Sequence, residues 1–166
     1  MNKKRYMMVV QFFSENKLAH NILYIIYKVL PYVMIVTYPV LLLVMLIRLG
    51  FVWEWMKLVL VPLSVLMLVT VMRMVVDAKR PYEVYGVHSV FHKQTEHQSM
   101  PSRHTASAYV IAMTFLKVNV PLGVIMLILA SLIEASRVLA GSHFIRDVVI
   151  GAVIGIGTSV LCYFIL

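Results

Sequence analysis

The chain has 166 residues, 61% of them hydrophobic and only 13% charged, with a mean hydropathy of +0.89. Soluble domains hold about 45–50% apolar and about 25% charged residues, and so short a chain cannot hide the excess from water, so a soluble globule is excluded and lipid is the solvent. The net charge of +8 fits an anionic membrane surface or an anionic lipid, and nucleic acid is excluded because the basic residues are scattered among apolar runs without a continuous basic face.

The first residues are basic, but polar residues 11–17 interrupt before any long apolar run, so no cleavable signal peptide is expected. Residues 6–18 are short and amphipathic, which predicts an interfacial helix within an N-terminal segment 1–20. A bilayer core needs about 20 apolar residues in a helix. Five segments qualify: within 22–49, within 51–76, about 102–120, 121–140 and 144–166. The first is long for one span, so tilt or a kink near Pro31 or Pro39 is expected. Trp53 and Trp55 open the second as interfacial aromatics. Gly151, Gly155 and Ser159 fall four apart in the last, a spacing for close helix packing and not for a phosphate loop. The lone cysteine, Cys162, excludes an internal disulfide and reads as a small buried hydrophobe. The expected fold is all-α: one integral membrane helical bundle over residues 1–166, with about five transmembrane helices and an N-terminal interfacial helix. Five spans put the N-terminus, the polar loop 77–101 and the turn at Gly141–Ser142 on one face, which therefore gathers the ionisable residues.

Three groups stand on that face, each at a span end. Arg73 precedes Arg80-Pro81 by two helical turns, so the two arginines share a helix face if the helix continues, and Pro81 marks an exit from helix. Pro101-Ser102-Arg103-His104 precedes the third span; Ser102 is placed to cap it, and a capped helix start with free amides binds anions. Ser136-Arg137 is followed by His143 and, four residues on, by Asp147. That spacing puts His143 and Asp147 on one helix face, where the carboxylate can accept one ring proton and leave the other nitrogen free. Ionisable groups at membrane depth are costly and mark function.

Taken together the three groups resemble the signature of the type 2 phosphatidic acid phosphatase family, integral membrane relatives of the vanadium haloperoxidases: K-x6-R-P, then P-S-G-H, then S-R-x5-H-x3-D. Order and internal spacing are kept from Arg73 to Asp147, with two departures: Arg73 stands for the lysine and Arg103 for the glycine. A planar fork replaces a point charge at the first, and a side chain replaces close backbone approach at the second. The resemblance implies a metal-independent lipid phosphatase without cofactor. In it His143 attacks phosphorus, Asp147 holds its tautomer, and His104 serves the leaving group and then water. Arg73, Arg80, Ser102, Arg103 and Arg137 bind the phosphate. Glu134, one helical turn before Arg137, is expected to pair with Arg137 or Arg73 in support of the site.

Other readings are weaker. A metal-dependent hydrolase on His88, His92 and His97 lacks a third ligand of known spacing. A transporter would carry charge in mid-span, whereas these charges gather at one interface. A non-catalytic lipid-binding relative would not keep all of the nucleophile, acid and aspartate positions. Substrates of the phosphatidic acid, phosphatidylglycerophosphate and undecaprenyl pyrophosphate classes share the required head chemistry. The family's habit places the site on the extracytoplasmic face, whereas the excess of Lys and Arg on the active face points to the cytoplasm.

Overall fold

The computed structural model describes residues 2–93 and 95–166; Met1 and Gln94, which belong to the expected N-terminal segment and polar loop, lie outside the described residues. Asn2 starts the first helix, α1 (Lys3–Glu15), by accepting the Arg5 amide on its side chain at 3.0 Å. Asn16 ends α1 and caps α2 (Lys17–Tyr24) in the same way, through the Ala19 amide at 3.0 Å. A π turn, Ile25–Val29, leads into α3 (Leu30–Leu49), so the first span runs over Lys17–Leu49. The irregularity expected near Pro31 is this widened turn. Proline has no N–H to offer the carbonyl four residues back, here that of Tyr27.

Gly50, at φ 74, turns the chain into α4 (Trp53–Val76). That helix stops at Asp77 in the left-handed conformation, and Arg80 is extended before the short α5 (Pro81–Tyr85). Arg73 and Arg80 therefore do not share a helix face, and Pro81 opens a helix instead of ending one. The cause is proline's clash with a helical preceding residue and its own fitness for a first helical position. After the loop come α6 (Arg103–Val118), α7 (Val120–Leu139) and α8 (Ile145–Val160), which continues as a π turn, Leu161–Ile165.

Among the described residues four helical runs, built on α2–α3, α4, α7 and α8, are long and apolar enough to cross a membrane. The fifth expected span, α6, has 16 residues, about 24 Å at about 1.5 Å each, short of a core of about 30 Å. It lies in the middle of the bundle, packed by α3, α4, α7 and α8, and ten of its residues from Thr105 to Phe115 are buried. α8 approaches it closely, as the four-residue spacing foretold. A Cβ added at Gly151 would stand 2.8 Å from the Ser102 carbonyl oxygen, and one at Gly155 2.7 Å from that of Ala106. The apolar residues left exposed lie on the outer faces of the spans, among them Val36, Leu43, Met67, Ile128 and Val153, where lipid takes the place of a second protein layer.

Candidate active site

The ends of α4, α6, α7 and α8 meet on the face that carries the loop. At the end of α7 the Arg137 carbonyl accepts the amides of Ser142 at 3.0 Å and His143 at 3.2 Å, folding the chain back through Gly141 at φ 72. Tyr6 of α1 clamps this turn: its hydroxyl donates to the Gly141 carbonyl at 3.2 Å, and its ring fills the space a Cβ there would need. The N-terminal helix thus touches the site through a fully buried tyrosine.

α8 begins only at Ile145, so His143 precedes it and does not share a helical face with Asp147. They meet because Asp147, in the first turn of α8, reaches back to accept the Phe144 amide at 2.9 Å, an arrangement favoured by the positive end of the helix. The carboxylate stands 3.7 Å from His143 Nδ1, too far for a hydrogen bond. Ser99 bridges them, donating to Asp147 at 2.5 Å and lying 3.3 Å from His143 Nδ1. One hydroxyl has one proton to give, so a serine that donates to the carboxylate accepts from Nδ1–H. That tautomer carries its lone pair on Nε2, which has no hydrogen-bond partner among the described residues. His143 is 1% exposed. Burial pushes its pKa down to about 4, aided by the charges of Arg80 and Lys93 and opposed by Asp147, so the ring is neutral at physiological pH.

Three arginines are buried around it, each fixed by a main-chain carbonyl. Arg73 donates to Pro101 at 3.1 Å; Arg80 donates through Nε to His97 at 3.1 Å and through Nη1 to Ser142 at 3.4 Å. Arg137 donates through Nη2 to Tyr27 at 3.0 Å, the carbonyl that Pro31 cannot serve, and its guanidinium lies 4.0 Å from the Tyr27 ring centroid. Its buried Nε has no partner among the described residues. Ser102 caps α6, its hydroxyl accepting from the Thr105 side chain at 3.0 Å, and its amide donates to the Asp147 carbonyl at 2.9 Å. The amides of Arg103 and His104 are left without partners among the described residues, as first-turn amides are. The Arg103 and His104 side chains are exposed toward the cavities beside the site.

The loop that delivers Ser99 is tied down by Glu83, whose carboxylate accepts the Arg80 amide at 2.7 Å and the His97 amide at 3.0 Å. The Tyr82 hydroxyl donates to the Thr95 carbonyl, and the Ser99 amide to that of Ala78 at 2.8 Å. His88 and His92 lie ring against ring at 5.5 Å, and among the described residues no three His, Cys, Asp or Glu converge as metal donors. Glu134 corrects an expectation: it accepts a hydrogen bond from Tyr109 at 2.7 Å and makes no ion pair with Arg137 or Arg73 among the described residues. Arg137 turns instead to Tyr27 on the first span.

A cavity of about 320 Å³ opens beside Arg137, lined by Lys28, Tyr32, Phe91, Lys93 and His104 among others. A second, of about 270 Å³, shares His104, Pro31 and Ile35 and is otherwise mostly apolar, with Met34, Leu66, Ile111 and Ile133. Lys28, Lys93, Ser99 and Tyr6 were not singled out by sequence. Ser99 stands three residues before Ser102, where only knowledge of the loop's path would mark it.

Buried guanidinium groups stand around a capped helix start at one end of a bundle of apolar spans, the architecture of a helical membrane protein with a cationic site whose chemistry suits an oxyanion. The model of the PAP2 superfamily matches residues 54–166, and the chain belongs to that superfamily. LpxE of Aquifex aeolicus has a similar fold, with 24% identity, 97% of this chain and 93% of that one covered, and a TM-score of 0.71. The first transmembrane PAP2-type phosphatidylglycerolphosphate phosphatase from Bacillus subtilis is also similar, with 18% identity, 96% and 93% covered, and a TM-score of 0.57. No curated protein matches the sequence.

Proposed function

We propose that the protein hydrolyses the terminal phosphate of a membrane lipid through a phosphohistidine on His143, without a metal. The observation that carries the reading is the Ser99 bridge, which ties His143 Nδ1 to Asp147 while Nε2 is free of partners among the described residues. Nε2 attacks phosphorus in line, and the bond from phosphorus to the leaving oxygen breaks. Burial, then the charges of Arg137 and Lys93, lower the His104 pKa to about 3, so His104 takes up a proton as the anionic substrate binds and gives it to that oxygen. A water then attacks the phosphohistidine, losing its proton to His104, and inorganic phosphate leaves with His143 restored. Asp147, acting through Ser99, stabilises the ring as it gains positive charge. Arg73, Arg80 and Arg137, with the free amides at the start of α6, hold the three equatorial oxygens; for phosphoryl transfer such positioning and charge stabilisation are most of catalysis. Arg103 adds a cation beside His104, where the family's glycine would leave only backbone.

The test is phosphate release from a panel of lipid phosphates in mixed micelles, by wild type and His143→Ala, with and without chelator. Wild type releases phosphate, chelator has no effect, and the variant loses on the order of 10⁴-fold or more. Acid-quenched wild type carries an acid-labile, base-stable phosphoryl group that His143→Ala lacks. A variant as active as wild type would end the proposal.

A further inference from the structure

In an in-line displacement the attacking and leaving atoms lie on opposite sides of phosphorus. An acid that protonates the leaving oxygen therefore stands on the leaving-group side, and whatever follows that oxygen occupies the space the acid borders. His104 borders two cavities of different character. One is mostly apolar and suits a lipid tail. The other carries Lys28 from the π turn of the first span, Lys93 from the loop, and Arg137, whose buried Nε is unpartnered among the described residues. No carboxylate among the described residues lines it. Neither lysine ammonium has a hydrogen bond or an ion pair among the described residues, and neither lysine belongs to the three motifs. Three arginines already outnumber the two charges of one phosphate, so the half-buried Lys93 and the exposed Lys28, sharing a cavity with Arg137, leave positive charge there for a second anion to meet.

We infer that Lys28 and Lys93 form a second anion subsite on the leaving-group side of His104, so that the preferred substrate is a lipid diphosphate. The inference rests on the assignment of His143 as nucleophile and His104 as acid. His143 attacks the terminal phosphorus, the bond to the bridging oxygen breaks, and a lipid monophosphate leaves with its remaining phosphate against the two lysines. Water then releases inorganic phosphate, so one diphosphate and one water give two phosphates.

The experiment compares farnesyl diphosphate with farnesyl monophosphate, which share a tail, on wild type, Lys28→Ala/Lys93→Ala and Lys93→Arg. The ratio of kcat/KM values, diphosphate over monophosphate, falls at least tenfold in the double alanine variant, mostly through KM, and is kept by Lys93→Arg. A ratio within twofold of wild type in the double variant overturns the subsite, whether both substrates have slowed or neither has. Thermal stabilisation by inorganic pyrophosphate and by phosphate supplies an arm that needs no turnover. Pyrophosphate raises the wild-type midpoint more than phosphate does, and that difference vanishes in the double variant; equal effects in wild type overturn the subsite. Wild type that turns over neither lipid removes the phosphatase reading, and the pyrophosphate arm still decides the lysines.

Discussion

The motif arginines and the cavity lysines carry the same charge but are held in opposite ways. Arg73, Arg80 and Arg137 are each at most 5% exposed and each donates to a main-chain carbonyl, so their positions are set before any ligand arrives. Lys28 and Lys93 sit on flexible stems; neither ammonium has a hydrogen bond or an ion pair among the described residues, and Lys28 Nζ only lies 5.9 Å from the Tyr27 ring centroid. Fixed dipoles and charges lower a barrier because they need no reorganisation when charge develops. Adjustable ammonium groups suit a part of the substrate that is gripped but not transformed. Under the proposed mechanism, chemistry falls on one side of His104 and recognition on the other.

Removing a fixed cation gives the largest effect. Arg137→Ala loses about 10²–10³ in kcat/KM, measured as phosphate release, because it removes a charge at the phosphate. It also lowers the thermal midpoint, since the Tyr27 carbonyl is left without its donor. Arg137→Lys keeps the charge but not the fork, and recovers only part of the rate. Loss confined to KM in Arg137→Ala would erase the distinction between the two sides.

Ser99→Ala comes next. It deprives Asp147 of one donor and His143 of its bridge, and slows formation of the phosphoenzyme about tenfold in rapid-quench measurements while KM changes little. An unchanged burst rate would mean that the histidine is oriented by its surroundings alone.

The smallest effect is a pH dependence on the lysine side. Burial, then the charges of Arg80, Arg137, Arg73 and Lys28, lower the Lys93 pKa to about 7. His143 and His104 also face this space, and Glu83 and Glu96 line the cavity on the far side of Lys93. An anion binds the protonated form better, so binding takes up a proton wherever the free lysine is neutral. The KM for farnesyl diphosphate is accordingly flat in this respect below pH 7. It rises above that, by at most about tenfold per unit. Lys93→Arg stays charged and removes the rise. The His143 pKa of about 4 keeps that ring neutral throughout this range, so that limb belongs to the lysine.

Much of this was legible in the chain. Long apolar runs gave the spans, the four-residue rhythm of Gly151, Gly155 and Ser159 gave the close approach of α8 to α6, and spaced motifs gave the site residues as candidates. Spacing failed where it stood in for tertiary contact. Four residues separate His143 from Asp147, yet they meet through a helix cap and a serine from a distant loop. Three residues separate Glu134 from Arg137, yet the arginine turns to another span. Lys28 and Lys93 look like ordinary interfacial lysines until the fold brings a π turn and a loop to one cavity. Pro31, readable as a kink, also has a missing amide that leaves the carbonyl of residue 27 in want of a donor.

That missing amide has a consequence for assembly. The segment matching the family ends its upstream reach at residue 54, while the acceptor for its own Arg137 lies at residue 27. A bundle synthesised from the matched segment alone would present this guanidinium with nothing to steady it, and supplying residues 1–50 as a separate polypeptide would restore the acceptor. The first span thus completes the setting of an arginine that the matched segment carries.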